Sequence, residues 1–190
     1  MNRIVFVLFP LLLLVGCKSK EKPKSDVPAA NFLVNDYIKG RVSQLDTSFF
    51  SFQKIETAEG RSDTVAIKNS DVRFFAQDFL NLPDLSSGDI KDDYEVSHLY
   101  DEIQQAFIFT YSTKSDHPVR EQHVTVEPEI NPGGKGNIRS VYVDFHDVKE
   151  DSAIRKNMMW EANSFYVTTT TDASGQPQKI KTIKIIWRDF

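Results

Sequence analysis

The chain holds a single cysteine, Cys17, in 190 residues. No disulfide can cross-link the fold. No Cys-x-x-Cys redox site, cysteine nucleophile or zinc-thiolate cluster is available beyond that one position. Stability therefore has to come from a packed core, and fourteen Phe, six Tyr and two Trp supply the bulk for it. A chain of this length builds one domain with a proper core and is too short for two comfortable ones.

The segment before Cys17 gives that cysteine a use. Arg3 makes a short positive start, and residues 4–15 are apolar apart from Pro10. Such a run is too short to cross a bilayer comfortably and reads as a removable signal peptide. Leu14-Val15-Gly16-Cys17 resembles the bacterial lipobox. The resemblance implies that residues 1–16 are cleaved off and that Cys17, diacylated, becomes the new N-terminus. Two acyl chains bury enough methylenes for stable anchoring. Residues 17–30 continue without apolar periodicity and contain Pro23 and Pro28, which makes them a flexible tether. Lys18 stands where an aspartate would resemble an inner-membrane retention signal, so the expected location is the outer membrane, facing the periplasm.

Residues 31–190 read as one α+β domain, with one or two N-terminal helices packed on a curved antiparallel sheet of four to six strands in a meander. Leu33, Val34, Tyr37, Ile38, Val42 and Leu45 recur at helical spacing, with Gly40 as the weak point. Residues 49–56 and 64–67 are β-prone runs around a turn at residues 58–61. Ser70 is placed as the N-cap of a second helix carrying Val72, Phe75, Ala76, Phe79 and Leu80, stopped by Pro83. Residues 85–95 read as an acidic loop, and strands dominate from about Gln104. They comprise residues 104–113, a stretch through Gln122, Val124 and Val126, residues 138–148, 159–171 and 179–187, with turns at 131–137 and 172–177.

Residues 62–82 together with Ile183-Lys184-Ile185-Ile186-Trp187-Arg188-Asp189 resemble small uncharacterised lipoproteins of Bacteroidota-type bacteria. That resemblance implies no known activity and carries over no functional residue.

Few residues suggest chemistry. Asp144 and His146 lie two apart, on one face of an expected strand and opposite Val143 and Phe145. They form either a weak polar site that could engage a cation or exchange a proton, or the ordinary solvent-facing polar face of an antiparallel strand, with Asp147, Glu150 and Asp151 just beyond. No second histidine stands at a ligand spacing, so no metal is expected. Asp84, Ser86, Gly88 and Glu95 imitate a calcium loop, but Asp89 occupies the place that requires glycine, and Tyr94 onward leads into strand. Gly133-Gly134-Lys135-Gly136 lacks the length and the Ser or Thr of a P-loop. No serine sits in a Gly-x-Ser-x-Gly elbow, and His98, His117 and His123 have no evident partners. Phe190 ends the chain as the last residue of outer-membrane barrel strands does, but Lys184 and Arg188 occupy the register that would face lipid.

Phe49, Phe50, Phe52, Phe74, Phe75 and Phe79 remain, either as core or as the lining of an apolar hollow. The net charge of −4 argues against nucleic acid as a partner. The expectation is a non-enzymatic binding or accessory module without cofactor, anchored to the membrane through Cys17, meeting an envelope protein. The alternative is a carrier of a lipid or other small apolar molecule between helices and sheet.

Overall fold

In the computed structural model, residues 32–128, 136–149 and 151–189 are described. The signal segment, Cys17, the tether, most of the glycine-rich turn, Glu150 and Phe190 lie outside them.

The chain folds in the order α1 (Val34–Asp46), β1 (Ser51–Ala58), β2 (Arg61–Ile67), α2 (Val72–Phe75), α3 (Gln77–Leu80), then β3 (Tyr94–Asp101), β4 (Ala106–Thr113), β5 (Val119–Glu127), β6 (Asn137–Lys149), β7 (Ser152–Trp160), β8 (Ser164–Ala173) and β9 (Lys179–Arg188). All nine strands form one sheet in the order β2-β1-β9-β8-β7-β6-β5-β4-β3. Every neighbouring pair is antiparallel. β3 to β9 make an uninterrupted meander. The β1–β2 hairpin joins it at the far side by pairing β1 with β9, so that Ser51 faces Arg188 and Ala58 faces Lys181.

The expected sheet of four to six strands is thus too small, and the fold is mostly β with few helices. Two strands account for much of the difference. β3 occupies residues 94–101, where a loop and then a gap were expected. The stretch expected as one strand from 159 to 171 is two strands, because the chain reverses at residues 161–163, where the Glu161 amide donates to the Ser164 carbonyl at 2.8 Å.

One face of the sheet is buried under the helices. α1 points Val34, Ile38, Val42 and Leu45 into it. The sheet answers with alternate residues of each strand: Phe52 from β1, Phe109 and Tyr111 from β4, Val124 from β5, Val141 and Val143 from β6, Met158 and Trp160 from β7, Phe165 and Val167 from β8, and Ile185 and Trp187 from β9. Six inter-strand steps separate β4 from β1, about 29 Å if the sheet were flat. Thirteen helical residues span only about 20 Å. Phe32, just before α1, nevertheless packs on Phe109 of β4 at 4.7 Å between ring centroids. At the other end of α1, Asp46 offers its carbonyl to Asn69 beyond β2. The sheet reaches both ends of the helix by curling around it, as twisted antiparallel sheets do. The helix-lined side is the inner face.

The second helix is broken. A short 3-10 turn, Asn69–Asp71, leads into α2, and Ala76 separates α2 from α3 with ψ of 3°. Ser70 does not cap it; the Asp71 carboxylate accepts the Lys68 amide at 3.2 Å. The bend turns Phe79 inward, where its ring stands edge-on to Trp160 at 5.3 Å and to Phe165 at 5.8 Å. Trp160 and Phe165 stack at 4.8 Å and 10° across the β7–β8 turn. Trp187 completes the cluster at 6.0 Å from Trp160. Ile185 and Trp187 of the last strand are buried. At the β1–β2 reversal, Glu59 and Gly60 take φ of 52° and 73°, the two positive values that a tight two-residue hairpin requires.

Two substitutions test this core from opposite sides. Trp160→Ala should cost about 3–5 kcal/mol, since the emptied site is walled by rigid rings that cannot collapse into it. Gly40→Ala, on the exposed side of α1 with nothing within 4 Å of the added Cβ, should stabilise by about 0.5–1 kcal/mol. Urea titration of both variants, with unchanged slope, is the measurement.

Candidate functional site

The inner face changes character halfway along its strands. Counted from the covered end, β9 presents Trp187, Ile185 and Ile183, then Lys181 and Lys179. β8 presents Phe165 and Val167, then Thr169 and Thr171. β1 presents Phe52, then Lys54, Glu56 and Ala58. Their registers align these residues across the sheet: Phe165 with Ile185, Thr169 with Lys181, Ala58 with Lys181. α2 and α3 sit on the boundary. The Lys54 ammonium lies 5.8 Å from the centre of the Phe75 ring. Lys156, the inner-face residue of β7 after Met158, pairs with Asp78 at 2.6 Å and lies 5.9 Å from the Phe145 ring. A cation on each side holds the helix pair at the point where the apolar floor ends.

Beyond that point the inner face is open. A groove of about 990 Å³ runs between the β1–β2 and β8–β9 turns, lined by Ala58, Gly60, Thr169, Thr171, Lys181 and Ile183 among others. It meets a smaller cavity of about 170 Å³ tucked under Phe74, Phe75 and Asp78, and the two share Thr169, Lys181 and Ile183. Beside the groove, Glu56 accepts from the groove-lining Lys181 at 2.6 Å and from Lys54 at 2.9 Å. The two ammonium groups, Lys181 first, hold the Glu56 carboxyl far below its ordinary 4.5, at about 2. The groove thus combines threonine methyls and two isoleucines with the Lys181 ammonium, which ties it to the fixed anion beside it. Such a surface binds by shape and a few polar contacts.

The expected site residues lie elsewhere. Asp144 and His146 do share one face, with His146 Nε2 3.1 Å from Asp144 Oδ1, but it is the outer, solvent-facing side of β6. Next to them across the β5–β6 ladder is a second pair, His123 Nε2 with Glu121 Oε1 at 2.8 Å. His123 also packs on Tyr142 at 5.4 Å. The same two-residue spacing that singled out Asp144 and His146 also marks Glu121 and His123. His117, too, has partners: Asp93 at 2.8 Å and the ring of Tyr94 at 5.7 Å. His98 stacks on Phe109 at 5.7 Å. Among the described residues, no three His, Cys, Asp or Glu side chains form a group able to hold a metal.

Asp84 spends its carboxylate on Ser86, accepting from its amide at 2.9 Å and its hydroxyl at 2.7 Å, so the loop closes on itself. Ser51 and Lys54 spell Ser-x-x-Lys, but on β1 that odd spacing puts them on opposite faces. Of the six phenylalanines, Phe52 and Phe79 are buried and Phe50 and Phe75 pack against the core. Phe49 and Phe74 are 93% and 72% exposed, Phe74 at the margin of the small cavity.

No family model matches the chain, and neither the curated proteins nor the solved structures give a match. Among the described residues no helix is long and apolar enough to cross a membrane.

Lys181→Met should return the Glu56 carboxyl toward its ordinary range, readable from a carbon-detected NMR titration of the side chain. A carboxyl lowered in the folded state stabilises fully above its unfolded value near 4.5 and loses that contribution as pH falls toward 2. Stability of the variant should therefore depend less steeply on pH across that window than stability of the parent protein.

Proposed function

We propose that this is a lipid-anchored envelope protein, held through Cys17 at the periplasmic face of the outer membrane, that works as a non-enzymatic binding or accessory module. Its binding element is the groove at the open end of the inner face. The single observation behind this reading is the change from apolar to Thr, Lys and Glu side chains beyond α2 and α3, which leaves about 990 Å³ of shaped, uncovered surface. That volume lies at the upper end of what ligand sites occupy, about 300–1,000 Å³. The Glu56 carboxylate beside the groove is fixed between two lysines, which suits it to hold a shape rather than to take up a proton.

The second reading, a carrier of an apolar molecule, draws on the cavity under Phe74 and Phe75. At about 170 Å³ this half-open hollow is below the size of ordinary ligand pockets. The covered end beyond it is filled by Trp160, Phe165, Trp187 and Phe79. A carried molecule would lie mostly in the open groove, in contact with water, which favours a polar or peptide-like occupant over an acyl chain.

A photo-reactive amino acid at Lys179, on the groove side of β9, should cross-link to an envelope protein in intact cells. The same group at Lys184, on the outer face of the same strand, should not. Equal capture at both positions, or none at either, counts against the groove. Native mass spectrometry of the full-length protein reads the carrier alternative directly, as an added mass released on denaturation.

A further inference from the structure

The two edges of the sheet are built differently. β2, at one edge, is Arg61-Ser62-Asp63-Thr64-Val65-Ala66-Ile67, and only Val65 is a large exposed apolar residue. β3, at the other, presents Val96, Leu99 and Tyr100, and the turn after it presents Ile103, which is 96% exposed. With Leu33, these make five of the ten large apolar residues exposed among the described ones. The Ile103 turn is firmly made: the Asp101 carboxylate accepts the Ile103 amide at 2.9 Å and the Gln104 amide at 3.0 Å. That geometry fixes an isoleucine outward at the corner of the molecule, a placement that burial alone would never select.

The same edge is where the chain comes in. Phe32 packs on Phe109 of β4, with His98 of β3 stacked on the same ring and Tyr100 of β3 beside Phe107 at 5.0 Å. Fourteen residues lie between Cys17 and Phe32. The tether expected there from sequence would have a mean reach of about 20 Å. A lipid on Cys17 would therefore hold this edge, and not β2, close to the bilayer at high local concentration.

We propose that the β3 edge and the Ile103 turn dock into the interfacial layer of the bilayer that carries the lipid anchor. This rests on the anchoring proposed above. Leu33, Leu99 and Ile103 supply apolar contacts, and Tyr100 is the amphipathic ring that settles at headgroup depth. Glu95, Asp101 and Glu102 lie along the same edge, so the matching surface is zwitterionic rather than anionic. Docking by β3 sets the molecule's orientation. β9 and β1, which form the groove, lie on the opposite side of the sheet order from β3, so the groove faces the aqueous side.

The test uses the full chain, purified with its native N-terminus and reconstituted into phosphatidylethanolamine–phosphatidylcholine vesicles containing a doxyl-labelled lipid. An environment-sensitive fluorescent amino acid replaces Ile103 in one sample and Thr64 on β2 in another, so that the Cys17 thiol takes no label in either. The expected result is a blue shift for the 103 label and quenching several-fold stronger than for the 64 label. Intact mass reports acylation of Cys17 separately. An acylated chain with equal, weak quenching at both sites overturns the docking alone, and an unacylated chain with selective quenching at 103 overturns the anchoring alone. A 103 label shielded without lipid quenching, in a chain that runs as a dimer, overturns the docking in favour of a second copy paired along β3.

Discussion

A nine-stranded sheet that does not close has to bury one broad face with very little helix. With no disulfide to help, the packing that ties helix to sheet is the ring cluster of Phe79, Trp160, Phe165 and Trp187. Two of its members come from either side of the β7–β8 reversal, one from the last strand and one from the bend at Ala76. Its position determines much else. Because Phe79 must reach it, α2 and α3 lie across the middle of the sheet and not over its far end. Because α1 lies beside them, the sheet curls until β4 and β1 both meet the one helix. The Trp160 indole N–H is buried without an acceptor among the described residues, so packing, and not a hydrogen bond, justifies that residue.

The open groove follows from the same arrangement. Helix material runs out where Phe75 and Asp78 meet Lys54 and Lys156, and past that line the inner-face positions can no longer be apolar without exposing a large greasy patch. They become Thr169, Thr171, Lys179, Lys181 and Glu56. The outer face, with its His123–Glu121 and His146–Asp144 pairs, is polar for the ordinary reason that an antiparallel sheet wets one side. The open inner end, where binding is proposed, and the solvated outer face thus come from one fact, the short reach of the helices.

How much of this could be read from the sequence depended on local periodicity. Val34, Ile38, Val42 and Leu45 stood at the right spacing and became the buried stripe of α1. Glu59-Gly60 became the expected tight turn. Most of β7 was missed, only residues 159 and 160 being read as strand, because its inner residues are Ser152, Ile154, Lys156, Met158 and Trp160, a set in which a lysine bound to Asp78 breaks the apolar alternation. The β7–β8 reversal has neither glycine nor proline, so two strands looked like one. β3, being an edge with apolar residues on both faces, carried no alternation to read. The groove was beyond reach, since it needs β1 beside β9, and no local pattern records that pairing. Asp144 and His146 were placed correctly on a common face opposite Val143 and Phe145, and the ladder decides for the solvent-facing alternative.

That pairing has a consequence for the order in which the molecule can be completed. Ser51 meets Arg188, so the first hairpin and the helices after it have no sheet to join until almost the whole chain is present. The meander from β3 to β9 can form by neighbour-to-neighbour steps. The β1–β9 seam closes a loop of more than a hundred residues, which is the slow kind of contact. Loss of even the last strand would strand β1, β2 and α1 together, although they stand at the opposite end of the sequence. Quality control of this protein therefore falls on its C-terminus: a chain missing its final ten or so residues is not a shortened version of the fold but an unsealed one.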